Sequence, residues 1–162
     1  MVPVISQHLE VPFQPKDIPH LVSFWKFEKS GSVFPASQGK PYGLSSQTGP
    51  LEVISDSSIP WGGTALRLKE GDWLSIPRGQ CIDLDIHGPN GQLTIIAWIR
   101  RKKTVTPHCE FIAGQWNESS SGRQYGLFLN ISVWGFQDRV FGHISNTGGP
   151  TPGYKYCMDG ST

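Results

Sequence analysis

Charge is scarce in this sequence. Asp, Glu, Lys and Arg make up 17% of its 162 residues, against roughly 25% in an average globular chain. Lys and Arg number 14, Asp and Glu 13, and no basic block concentrates the formal net charge of +1. Proteins that bind nucleic acid draw most of their affinity from neutralising phosphates, so this balance offers no footprint for that class. Long apolar runs are missing too. The longest, Leu93–Ile99 interrupted only by Thr94, falls far short of the ~20 residues that span a bilayer. The first residues, Met1–His8, carry neither a basic start nor a long apolar stretch, so the sequence as written shows no signal peptide. A processed secreted chain has the same appearance.

Cysteine is equally sparse. Cys81, Cys109 and Cys157 allow at most one intramolecular disulfide, and none lies in a C-x-x-C pair that would indicate a structural zinc or a thioredoxin-like centre. They read as buried, reduced thiols acting as small hydrophobes. The five histidines form no H-x-H or H-x-x-x-H group, which argues against a transition-metal site. Helical periodicity is the last absence, because no window of about eleven residues or more holds an apolar stripe at period 3.6.

What the chain has instead is Gly 19, Pro 13 and eighteen aromatics, six Trp, eight Phe and four Tyr. The aromatics exclude intrinsic disorder, and with frequent turn residues they indicate an all-β protein. Residues 1–19, with Pro3, Pro12, Pro15 and Pro19, read as an extended arm, and residues 20–162 as the β domain. Leu21, Trp25 and Phe27 lie at period two on a half-buried strand. Short strands follow at Tyr42–Leu44 and Leu51–Ser55. Thr64–Lys69 and Asp72–Pro77 alternate about Glu70-Gly71 and predict a hairpin. Residues 79–91 read as an irregular linker from which Leu84 and Ile86 plug the core. Gln92–Arg101 has the strongest strand character and is apolar on both faces, which predicts a central position. Cys109–Trp116 and Arg123–Ile131 form a second hairpin, and Arg139–Ser145 begins a third pair. Trp25 and Trp98 fall in core-patterned strands and read as packing residues.

Taken in order, Leu21-Val22-x-x-Trp25-x-Phe27-Glu28, Gly63-x-Ala65-Leu66-x-Leu68-x-x-Gly71-Asp72-x-Leu74-x-Ile76-Pro77, Leu84-Asp85-Ile86, Leu93-Thr94-Ile95-x-Ala97-Trp98-Ile99 and the Phe111–Gly114/Tyr125–Leu129 hairpin resemble the laminin-G-like jelly roll of the concanavalin A-like lectin/glucanase superfamily. The resemblance covers roughly residues 20–145. It implies an antiparallel two-sheet sandwich and an extracellular or cell-envelope setting. The pattern would continue through further closing strands, whereas the sequence stops at Met158–Thr162. The chain therefore reads as the front part of a larger domain, or as one that pairs its open sheet edges with a partner or with itself. Members of the superfamily often hold Ca²⁺ on loop oxygens. Asp56, Asp72, Asp83, Asp85 and Asp159 lie in or beside predicted loops, but no ligand-like spacing joins them.

Glycoside hydrolysis needs two carboxylates, about 5–5.5 Å apart for retention and 6.5–9.5 Å for inversion. No predicted strand presents two acids on one face. Glu110 runs into Phe111-Ile112-Ala113, and Asp83 and Asp85 sit in the linker. His108 and Cys109 are strand neighbours pointing to opposite faces, so they cannot pair as a nucleophilic dyad. Sugar binding fits better. A pyranose offers a C–H face for an aromatic ring and hydroxyls for planar polar groups. Trp116, Asn117, Glu118, Arg123, Gln124 and Tyr125 gather at one end of the second hairpin, and Tyr154 lies in a Gly/Pro-rich loop, Gly148–Tyr156. The expected function is a non-catalytic carbohydrate-binding, lectin-like module. The alternatives are a laminin-G-type adhesion module or part of a glycoside hydrolase whose acids lie outside this chain. Asn117-Glu118-Ser119 and Asn130-Ile131-Ser132 match the N-x-S acceptor pattern, which also arises by chance.

Overall fold

A computed structural model describes residues 14–59, 63–101, 109–117, 121–130 and 139–149. The described residues form short strands in antiparallel sheets, with three 3-10 turns and no α-helix among them. No helix among them is long and apolar enough to cross a membrane. The all-β reading holds. The chain divides between Asp83 and Leu84 into two compact units.

Among its described residues the first unit contains seven strands: β1 (Ser23–Phe24), β2 (Val33–Pro35), β3 (Gln38–Gly39), β4 (Gly43–Ser46), β5 (Glu52–Ser55), β6 (Thr64–Arg67) and β7 (Leu74–Ser75). They pair as β1-β3, β2-β4-β7 and β5-β6. The long strand expected at the start shrinks to β1, because His20 and Phe27 adopt φ of 60° and 56° and turn the backbone out of the extended region on either side. Trp25 is half-buried and its indole N–H donates to the Tyr42 carbonyl at 2.8 Å. Phe34, 3% exposed, anchors β2 with the Phe27 ring edge-on at 5.7 Å.

The hairpin expected about Glu70-Gly71 does not form. Its turn is present, with Asp72 N–H donating to the Lys69 carbonyl at 3.0 Å, but the flanking strands diverge. Ala65 and Leu66 of β6 find apolar partners in Ile54 and Val53 of β5, and β7 pairs instead with Ser45 and Ser46 of β4. The Asp72 side chain reinforces that choice. It accepts from Lys69 N–H at 2.8 Å and from Thr48 Oγ1 at 2.9 Å, which ties the turn to the β4–β5 loop.

The second unit holds β8 (Glu110–Gln115), β9 (Tyr125–Leu129) and β10 (Val140–Ile144) in the order β10-β9-β8. The second hairpin and the strand after it are therefore where the pattern placed them. A bulge at Ile112 interrupts the β8–β9 register between Phe111 and Ala113. Gly114 then sits opposite Gly126 so closely that a Cβ on Gly114 would clash with the Tyr125 carbonyl oxygen.

Residues 92–101 make no strand, contrary to expectation, and Ile96, Trp98 and Ile99 are 53%, 55% and 50% exposed. The centre of this sheet belongs to β9, whose Phe128 is 5% exposed on one face and Tyr125 6% on the other. Alternation survives in the segment, since Ala97, Ile99 and Arg101 line a cleft against the sheet, but no ladder of backbone bonds accompanies it. Trp98 is accordingly a surface residue rather than a core one. Leu84 and Ile86 are half-buried. Cys81 is buried and Cys109 exposed, so burial holds for the first thiol and not the second; Cys157 lies outside the described residues.

Candidate functional site

The end of the β8–β9 hairpin is built by backbone bonds that continue past the strands. Gln124 N–H donates to the Gln115 carbonyl at 3.0 Å, and Gly122 N–H closes the connection onto the Asn117 carbonyl at 2.9 Å. Residues 145–149 brace it: Arg123 N–H donates to the Gly148 carbonyl at 3.2 Å, Ser145 N–H to the Gln124 carbonyl at 2.7 Å, and Ser145 Oγ to the Gly149 carbonyl at 2.8 Å. Side chains on this end are therefore held on a fixed frame.

Trp116 follows β8 and is half-buried. Its ring meets Phe128 at 4.9 Å and His143 at 4.7 Å, both edge-on, and the Arg123 guanidinium lies 5.4 Å from its centroid. Asn117 beside it is exposed. Tyr125 goes elsewhere. Gln115 pairs with Tyr125 in register, so their side chains share one face of the sheet, and Trp116, one residue on, packs against the other. The Tyr125 hydroxyl donates to the Leu84 carbonyl at 2.6 Å, and the ring is buried. The structure thus brings together Trp116, Asn117 and Arg123, and separates Tyr125 from them. Gln124 turns towards the 84–87 segment, where its Nε2 donates to Asp85 Oδ1, an oxygen that also lies 3.4 Å from His87 Nδ1. Gln124 Oε1 and, on β8, Gln115 Nε2 are buried without a hydrogen-bond partner. Glu118 and Tyr154 lie outside the described residues.

The acids considered for calcium or catalysis are engaged locally. Asp56 accepts from Ser58 N–H and Oγ at 2.9 and 2.7 Å. Asp83 accepts the Tyr42 hydroxyl proton and lies 3.5 Å from Lys40 Nζ. That hydroxyl, followed by the Lys40 charge, holds the Asp83 carboxyl below the usual range, while the same bond pushes the Tyr42 phenol above its own. The Lys69 N–H, then the Thr48 hydroxyl, lower Asp72 likewise. Glu110 accepts both contacts of Arg101 Nε, at 2.8 and 3.0 Å. Among the described residues no three His, Cys, Asp or Glu side chains cluster to hold a metal ion; Asp159 lies outside them.

A second feature of this unit is an open cleft of about 490 Å³ between Ile99 and Arg101 on one side and Ile112, Leu127, Leu129 and Val140 on the other. Of the two N-x-S asparagines, Asn117 is exposed and Asn130 is 3% exposed. Trp73, within the alternating run Asp72–Pro77, is 55% exposed; alternation is by itself a packing pattern, and only the polar turn beside this tryptophan signals otherwise. Comparisons with protein-family models, curated proteins and solved structures find no match.

Proposed function

We propose that the chain is a non-catalytic, lectin-like carbohydrate-binding module on a laminin-G-like jelly roll. The observation that carries this reading is the Arg123–Trp116 stack beside the exposed Asn117, on a hairpin end braced by residues 145–149. An indole supplies a flat face or edge for sugar C–H groups, and a guanidinium and a carboxamide supply planar, multidentate donors for vicinal hydroxyls. The frame is assembled before ligand arrives, which lowers the ordering cost of binding. A glycan array probed with the wild-type chain and with Trp116→Ala tests it. Binding that is lost in the folded variant supports the reading, and a folded wild-type chain that binds no glycan removes it.

A second reading, a laminin-G-type protein-interaction module, is favoured by the outer strands of the second unit. Phe111 on β8 and Val140 and Ile144 on β10 are 50%, 49% and 74% exposed, a distribution suited to association through sheet edges. Light scattering across a concentration series separates the two, since edge association raises the mass and saccharide binding does not.

A further inference from the structure

Tryptophan is large and apolar, and on average well buried. Trp73 is 55% exposed although its neighbour Leu74 enters β7. The register that pairs Ser46 with Leu74 runs on to Gln47 opposite Trp73, so those two side chains share a face, and the bonded Thr48–Asp72 pair falls on the other. Gln47 N–H donates to the Trp73 carbonyl at 3.1 Å, which joins the β4–β5 loop to the tryptophan's backbone. The Thr48 hydroxyl donates to Asp72 Oδ1 at 2.9 Å, and Lys69 N–H donates to Asp72 Oδ2 at 2.8 Å. Gln47 Nε2 donates to the Ser45 carbonyl at 3.1 Å, which leaves its Oε1 to accept. Gln47 and Thr48 are exposed.

We infer that Trp73, with Gln47 across the strand pair from it, is a saccharide-stacking site of the first unit, taking a neutral pyranose of a polysaccharide. The inference rests on the carbohydrate-binding reading and adds to it a site on the first unit, where Trp116 belongs to the second. Its chemistry is complementary. The indole presents a flat apolar surface for the C–H face of the sugar. The amide oxygen of Gln47, on the same face, accepts from a hydroxyl at the ring's edge. A protein-binding hot spot is instead ringed by contacts that exclude water, whereas the residue opposite this indole presents an exposed amide. Two cross-linked loops hold the group, so little conformational freedom is lost on binding.

The test is native affinity electrophoresis of the full chain through gels containing laminarin, dextran or galactomannan, run for wild type, Trp73→Ala, Trp73→Phe and Trp116→Ala. Because Trp73 is exposed, Trp73→Ala keeps its melting temperature and circular dichroism, which confirms the fold. The expected result is a wild type retarded by at least one polysaccharide and a Trp73→Ala affinity reduced by about tenfold or more, with Trp73→Phe retaining part of it. Retardation unchanged in Trp73→Ala but lost in Trp116→Ala overturns the Trp73 site and leaves the carbohydrate reading standing. A wild type retarded by none of the three gels and silent on the glycan array overturns both. Retardation by a gel that neither tryptophan variant alters overturns the Trp73 site.

Discussion

Tyr42 and Asp83 hold each other twice: the phenol donates to the Asp83 carboxylate, and the Asp83 backbone N–H donates to the phenol oxygen at 3.2 Å. One side chain just before β4 thus fixes the 3-10 turn at Ile82–Leu84. The pair sets a pH window. Asp83 is lowered in the folded chain, so its contribution is complete above the ordinary carboxyl value of about 4 and is lost as pH falls through the depressed one. Tyr42 is raised, so its contribution is complete below about 10 and is lost as pH rises through the elevated value. Melting temperatures of wild type and Tyr42→Phe should therefore differ across the neutral range and converge at both extremes. A difference independent of pH would contradict this linkage.

The centre of the second unit's sheet is tested by contrasting two aromatics. Phe128 is 5% exposed and touches the Phe111 ring at 5.2 Å as well as Trp116. Phe128→Ala should cost about 3–5 kcal/mol of unfolding free energy. Trp98→Ala, at a 55% exposed position, should cost less than about 1 kcal/mol. Urea titrations of the two variants measure this, and a reversed order would return residues 92–101 to the core.

Gly114 has φ of 155°, and a Cβ there would press on the backbone of Tyr125 and Gly126. Gly114→Ala should lower stability by about 1–3 kcal/mol, because no flexible side-chain end is available to move aside. Gly71→Ala, at φ 88° but with open space around it, carries the strain without the clash. Thermal unfolding should rank Gly114→Ala as the more damaging change.

Arg123 over Trp116 is a cation–π contact at a half-buried site. Its removal in Arg123→Ala should cost about 0.5–1 kcal/mol, with Arg123→Lys recovering part of that. Chemical denaturation followed by far-ultraviolet circular dichroism measures both variants.

Legibility in the sequence followed locality. The β8–β9 hairpin was readable because both strands and their connection lie within residues 110–129 and their pairing needs no distant partner. The Glu70-Gly71 hairpin misled for the opposite reason. Its turn chemistry is real, but β6 and β7 each found a better neighbour earlier in the chain, and local alternation carries no information about that competition. The candidate site divided likewise. Adjacency in sequence placed Trp116, Asn117 and Arg123 together, while the two-residue period of the sheet sent Tyr125 to the opposite face.

Low charge, abundant turn residues and period-two patterning determined by themselves that this chain is all-β and that residues 110–129 form a hairpin. The tertiary structure alone decided which strand is central, which tryptophans are exposed, and which neighbour each carboxylate engages. Strand pattern records only that one face of a residue's segment is apolar; what covers that face is set by contacts distant in sequence, and those exist only once the chain has folded.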